Sequence, residues 1–439
     1  MNGQKLVRKN ATDSIISLTL IDLFILTPFP HLASRTVNIV FGIFRTILCC
    51  YLCRSSKIHA MEQKKFSKLT ESVHAGSLGD SLFKGTVTPV FPSSAYDYED
   101  VPSTLYPRYF NTPNQKAVVE KVRALENGED GIIFSSGMAA ILTSIFAVMK
   151  RGDHAIFQNE LYGGTYHAIV TELPRYGMEY TMVDPSDPTN FERAIRAETR
   201  LIYIETPSNP TLKITNIKAV ADVAKKHGII TIIDNTFASP VNQNPINFGI
   251  DIVAHSGTKY IGGHSDICCG VVITSKKLVQ SIWHSAINFG GSLDSHTAWL
   301  VERSLKTIVL RVRQQNHNAM SIAAYLQKDT RISRVYYPGL PEHPDHLIAR
   351  AQMTGGFGGM LSFEVKDNAD RFMSRLKLIK RAISLGGVET TVTSPVKTSH
   401  SKMSEKERLA IGVTDNLVRF STGIEEAQDL IEDINQALG

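Results

Sequence analysis

Residues 217–234 read IKAVADVAKKHGIITIID, and the pattern changes period part-way along. Ile217, Val220, Ala221 and Ala224 fall at i, i+3, i+4 and i+7, which is one face of a helix. Asn216 can cap its start and Gly228 its end. IITIID, at 229–234, is a short continuous apolar run of the kind found in strands buried on both faces. LIYIE (201–205), DIVAHS (251–256) and GVVIT (270–274) repeat that type, with helical or loop segments between them. The alternation predicts an α/β fold on a large, mostly parallel sheet. Near residue 310 the pattern changes. RVRQQNHNAMSIAAYLQ (311–327) reads as one long helix, and GGMLSFEV (358–365) as a strand of a smaller α+β domain. The expected division is an extension at 1–60, an arm at 61–117, an α/β domain at 118–308 and an α+β domain at 309–439.

With 439 residues, 43% hydrophobic and 20% charged, the chain has the composition of a soluble globular protein with a sizeable core. Its net charge of +5 would suit a polyanion, but the charge is local. Residues 1–60 hold seven basic and two acidic residues, which leaves 40 of each sign in the remainder. No nucleic-acid partner is expected for such a body. Cys49, Cys50 and Cys53 lie in the extension and only Cys268 and Cys269 lie beyond it, with no Cys/His spacing of a metal site. A reduced, cytoplasmic protein without a metal is expected.

The extension is unlike the rest. SIISLTLIDLFILTPF (14–29) and VNIVFGIFRTILCCYLC (37–53) are apolar, but Asp22, Pro28, Pro30 and Arg45 interrupt them. Each unbroken stretch is shorter than the roughly 20 residues that span a bilayer, and no small-residue cleavage site follows. An upstream or over-extended start is the first reading, a membrane-associating segment the second and a cleaved signal the third. Met61 opens MEQKKFSKLTESVHAGS, a plausible start, and membrane contact is expected only through residues 1–60.

In open parallel sheets, ligands sit at the carboxyl ends of strands. Glu205 ends LIYIE, Asp234 ends IITIID, and HSGTKYIGGHSD (255–266) follows the next run. A lysine in that position, Lys259, can act as a carbonyl-binding nucleophile if it is held and partly deprotonated. Pyridoxal 5'-phosphate supplies such a carbonyl, and its ring nitrogen needs a carboxylate, for which Asp234 is suited. Ser256 and Thr258 can donate to its phosphate. So can the loop FSSGMAAI (134–141), where Ser136, Gly137 and Met138 lead into a helix whose free N–H groups favour an anion.

DNTFASP (234–240), HSGTKYIGGHSD, SSGMAAI (135–141), YGGTYH (162–167) and SLGGVET (384–390) resemble the cysteine/methionine-metabolism, or trans-sulfuration, family of pyridoxal-phosphate enzymes. That family includes cystathionine γ-synthase, cystathionine β- and γ-lyases and methionine γ-lyase. The resemblance runs from about residue 66 to the end. It implies the fold-type I transferase architecture, with Lys259 carrying the cofactor and Asp234 paired with its ring nitrogen. Tyr162 would stack on the ring and move protons, and Asn209 in ETPSNPT would bond the cofactor hydroxyl. Tyr106 and Arg108 in LYPRYFNTP would reach the phosphate of a neighbouring subunit, within a homotetramer with shared active sites. Arg419 in LVRFSTGIE would clamp the α-carboxylate of a small amino-acid substrate, helped by Ser384.

Two positions depart from the pattern. His167 stands where many members have an arginine that helps bind a distal carboxylate. Gly164 stands where methionine γ-lyases typically carry cysteine. The implied activity makes or breaks C–S bonds at Cβ or Cγ of sulfur amino acids. Alternatives are an O-acylhomoserine sulfhydrylase, a methionine γ-lyase, another fold-type I chemistry such as transamination, or a non-catalytic, membrane-tethered homologue. His343 and His346 read as a solvated loop, GGFGGM (355–360) precedes a strand and so is no dinucleotide fingerprint, and His255 and His264 read as supports of the cofactor loop.

Overall fold

The helix read from residue 217 spans Ile217–His227, and its expected face, Ile217, Val220, Ala221 and Ala224, is buried. Asn216 caps it by accepting from the Ala219 N–H at 3.1 Å. Gly228 ends it at φ +66°, in the left-handed region that glycine enters without steric cost. The buried face packs with Ile202, Ile204, Ile233 and Val253 of the sheet beneath it. Each fully buried aliphatic side chain of this size contributes about 2 kcal/mol. The computed structural model describes residues 66–439 apart from 81, 102, 400 and 402. The expectations for residues 1–60 and for a start at Met61 lie outside the described residues. Among the described residues, no helix is long and apolar enough to cross a membrane.

Seven strands form the large sheet: β1 (Asp130–Phe134), β2 (His154–Gln158), β3 (Glu179–Val183), β4 (Thr199–Glu205), β5 (Ile230–Asp234), β6 (Ile252–Ser256) and β7 (Gly270–Thr274). Their spatial order is β1-β7-β6-β5-β4-β2-β3. The pairs β2–β3, β2–β4, β4–β5 and β5–β6 are parallel. β7 pairs antiparallel with both β1 and β6, so it alone runs against the others. The carboxyl ends of β1, β2, β4, β5 and β6 therefore share one edge. The smaller sheet comprises β8 (Ile332–Tyr336), β9 (Met360–Val365), β10 (Lys380–Arg381), β11 (Thr391–Thr393) and β12 (Leu417–Ser421), in the order β10-β11-β12-β9-β8. The expected boundary at 118 falls inside the helix Pro113–Glu126, and that at 308 meets the first residue of the long helix Ile308–Lys328.

Two buried polar devices fix the edge that carries Lys259. Arg311, on the long helix, donates to the carbonyls of Tyr260 and Ser304, both at 2.9 Å. Gly263 packs against that guanidinium at φ +67°; a Cβ there would lie 1.8 Å from Arg311 Nη1. The second device centres on Glu126, fully buried at the end of its helix. Its Oε1 accepts from His255 Nε2 at 2.6 Å and from Asn235 Nδ2 at 2.8 Å, and its Oε2 from Asn244 Nδ2 at 3.2 Å. His255 thus supports the strand before Lys259 through a carboxylate. Removing one member of a buried, hydrogen-bonded charge cluster costs about 3–5 kcal/mol. Glu126→Leu is expected to lose about that much stability in urea unfolding, and Glu126→Gln, which keeps an acceptor, distinctly less.

Candidate active site

The strand ends open into a cavity of about 590 Å³ that also takes lining from the smaller sheet. Its size is that of a small-molecule site. Every site residue expected from the sequence lines it except Tyr106 and Arg108. Those two lie outside the cavity of their own chain. Arg108 Nη1 donates to the Ile287 carbonyl at 2.5 Å, and its guanidinium lies 5.9 Å from the Tyr106 ring centre.

One end of the cavity is a helix start. β1 turns into the helix Gly137–Val148, whose N-cap Ser136 accepts from the Ala139 N–H at 3.1 Å. Gly137 packs flat on Ser256, where a Cβ would come within 2.8 Å of Ser256 Cβ. This close approach brings the first N–H groups of the helix beside the end of β6. The next turn is held by Thr258, whose Oγ1 accepts from Cys269 N at 3.1 Å, and by the Lys259 N–H, which donates to the Ser256 carbonyl at 3.1 Å.

The lining also carries two buried carboxyl groups. Glu205 and Asp234 face each other in the parallel register of β4 and β5. Asp234 Oδ1 accepts from both the backbone N–H and the hydroxyl of Thr236. Glu205 Oε2 accepts from the Tyr162 N–H at 2.8 Å. Burial raises the Asp234 pKa, against the Thr236 hydrogen bonds and the nearby His255 and Lys259. Burial, and then the charge of Asp234, push Glu205 well above the usual carboxylate range. With its two donors Asp234 is the better anion, and Glu205 is the better holder of a proton.

Lys259 Nζ donates to Ser384 Oγ at 2.8 Å. Its pKa is lowered by burial first and by the Arg419 charge second. Ser384 holds φ +81°, unusual for a residue with a Cβ and a mark of a backbone held by its surroundings. Its carbonyl accepts from Arg419 Nη2 at 3.2 Å, and Asn209 Oδ1 accepts from Arg419 Nη1 at 3.2 Å. Arg419 sits in the middle of β12; burial lowers its pKa to about 10, so it stays cationic at neutral pH. Among the described residues no carboxylate forms a salt bridge with it. Such a guanidinium is a receptor for an anion.

The family described as Cys/Met metabolism PLP-dependent enzyme matches residues 69–439. The chain belongs to this family. Cystathionine gamma-lyase of Bacillus subtilis (strain 168) is 42% identical over 376 residues, covering 84% of this chain and 99% of the relative. L-methionine gamma-lyase of Fusobacterium nucleatum subsp. polymorphum is 38% identical, over 86% of this chain and 99% of the relative. The crystal structure of cystathionine gamma-lyase from Lactobacillus plantarum complexed with L-serine superposes with a TM-score of 0.81 at 38% identity, over 85% of this chain and 98% of that one. The protein is an enzyme of C–S bond chemistry that uses pyridoxal phosphate.

The lining fits that cofactor. A helix start suits its phosphate, a depressed lysine its aldehyde, and a buried carboxylate, with Oδ2 unbonded among the described residues, its cationic ring nitrogen.

Several contributors were not assigned from sequence. Thr236 could have been found, since Asp-x-Thr after a strand favours a side-chain-to-backbone turn. Glu205 was visible as a strand end, but its bond to Tyr162 was not. Glu126, before Asn-Gly, gave no signal. Asn209 was expected to meet the cofactor hydroxyl and here carries Arg419. Among the described residues, no group of three or more His, Cys, Asp or Glu side chains is arranged to hold a metal. His343 differs from expectation: it is buried, and its Nδ1 accepts from the Asp345 N–H at 3.2 Å. The departure at Gly164 has a steric meaning, because a Cβ there would lie 2.5 Å from Tyr162 Cε1.

The two causes of the lysine shift predict a pH effect. In cofactor-stripped protein, uptake of pyridoxal phosphate should rise with pH to a midpoint below the ordinary lysine value. Arg419→Met removes one lowering charge, so the midpoint should move up. Spectrophotometric uptake rates across pH check the sign.

Proposed function

We propose that the protein is a cystathionine lyase, working in the cytoplasm as a homotetramer. The observation that carries this reading is the buried Arg419, held by Asn209 and Ser384 and without an anion, in the same cavity as Lys259. A guanidinium so placed fixes an α-carboxylate and presents the adjacent Cα to the lysine. The cofactor, when bound, supplies an electron sink conjugated to that Cα. Asp234 supports the sink by holding a positive charge at its far end. The uncharged amine of Lys259 takes the Cα proton, and Ser384 Oγ fixes the direction of its Nζ. Tyr162, half-exposed at the rim, is placed to deliver a proton to the departing sulfur. The C–S bond breaks with its electron pair on sulfur, which takes up the proton, and addition of water to the remaining enamine gives a keto acid and ammonium.

The purified protein should release a thiol and a keto acid from L-cystathionine. Cysteine with 2-oxobutyrate marks γ-cleavage, and homocysteine with pyruvate marks β-cleavage. Formation of cystathionine from O-succinyl- or O-acetylhomoserine plus cysteine, with no thiol from cystathionine itself, would overturn the lyase reading in favour of a synthase. Borohydride reduction should fix the cofactor on the peptide that contains Lys259.

Tyr106 and Arg108 lie outside their own cavity, which supports sites shared between subunits. Inactive Lys259→Ala and Arg108→Ala chains, mixed and reassembled, should then recover activity, since one site of a mixed dimer keeps both groups. Mixtures as dead as either parent, after proven subunit exchange, would place Arg108 in its own chain's service.

A further inference from the structure

Glu205 lines the cavity, yet the chemistry drawn above gives it no task. It ends β4, buried, and one residue of β2 locks its backbone on both sides. Gln158 Nε2 donates to the Glu205 carbonyl at 2.8 Å, and the Glu205 N–H donates to Gln158 Oε1 at 3.1 Å. A side chain rooted in so fixed a strand end has a defined reach. Its Oε2 accepts from the Tyr162 N–H at 2.8 Å, across 43 positions of chain.

Tyr162 is otherwise lightly held. It precedes the helix Gly163–Arg175 without capping it through its side chain, and it is half-exposed. Its phenol forms no hydrogen bond among the described residues. The ring lies over Gly164, where a Cβ would come within 2.5 Å of Tyr162 Cε1, so only glycine leaves room for it. An ionised Tyr162 is also among the charges that act on Arg419, which places the phenol near that guanidinium. A ring with a free phenol and an open face takes its place from its backbone. That backbone is fixed by the Glu205 carboxyl, and the glycine floor does the rest.

We propose that Glu205 is the positioning residue of Tyr162, setting through the Tyr162 amide where the phenol stands in the cavity. Burial and the charge of Asp234 favour the neutral form of Glu205, so the bond asks for an acceptor oxygen at the right reach and not for a charge. Glutamine supplies that oxygen. Aspartate keeps the carboxyl but draws it back by one methylene, and leucine keeps only the bulk. The task of Tyr162 as proton donor rests on the lyase reading, whereas the placing of its ring does not.

The test uses holoenzyme carrying Glu205→Gln, Glu205→Asp or Glu205→Leu, each also combined with Tyr162→Ala. Two readouts need no turnover: the circular dichroism of the cofactor band, which reports the groups set around its ring, and the cofactor dissociation constant. The third is kcat/KM for L-cystathionine. Glu205→Asp and Glu205→Leu should weaken the dichroic band, loosen the cofactor and lower kcat/KM about tenfold to a hundredfold, the range that an ångström of misplacement costs. Glu205→Gln should recover most of each loss. In the Tyr162→Ala background the same substitutions should add little to the cofactor dissociation constant, because the group they position is gone. Activity kept by aspartate and lost with glutamine would overturn the proposal in favour of a role for the charge. Losses that add in full to those of Tyr162→Ala would overturn it in favour of a role elsewhere, and three variants equal to wild type would leave Glu205 no role. Should the two cofactor readouts follow the expected order in a protein that does not cleave cystathionine, the lyase reading falls and the positioning role stands.

Discussion

Four ionisable groups, Asp234, Glu205, Lys259 and Arg419, are held in one buried cavity, and burial disfavours the charged form of each. The rest of the architecture answers that constraint. A buried charge tolerates neither slack nor solvent, so each group is tied by a short fixed donor or acceptor: Thr236 for Asp234, the Tyr162 N–H for Glu205, Ser384 for Lys259 and Asn209 for Arg419. Behind them, Glu126 and Arg311 pin the backbone from which these groups project. A site preorganised in this way spends little reorganisation when its ligands arrive, since cofactor and substrate supply the charges it lacks. In the proposed function the ring nitrogen would answer Asp234, the aldehyde would take the weakened amine, and a substrate carboxylate would answer Arg419.

What the sequence made legible follows from what is local. The helix at 217–227 could be read, caps included, because its period, start and stop lie within a dozen residues. Lys259, Asp234 and the helix start at 136–138 could be placed on one edge because strand ends in parallel sheets always share an edge. The direction of β7 could not be read. GVVIT is buried on both faces, and an unbroken apolar run looks the same whichever way the strand points. Contacts across long separations were hidden too. Asn209 meets Arg419 from 210 positions away, and Glu126 meets His255 from 129. Glutamate at a helix end beside Asn-Gly is ordinarily a surface residue, and nothing adjacent to it marks this one as the acceptor for three buried donors.

The same separations tie the site's assembly to the joining of the two sheets. Lys259 and Asn209 project from loops of the large sheet, while Arg419 lies on β12 of the small one and Ser384 in the loop between its β10 and β11. The bonds Lys259–Ser384 and Arg419–Asn209 therefore cross between the two halves, and the groups that make them all line the one cavity. A carboxylate bound at Arg419 would compensate a buried cation that is hydrogen-bonded to both halves. The large-sheet side supplies Lys259, Asp234 and the helix start at 136–138, the groups proposed to hold the cofactor. The small-sheet side supplies Arg419 and the loop that carries Ser384, so a change of side chain there bears at once on the buried guanidinium and on the direction of Lys259 Nζ.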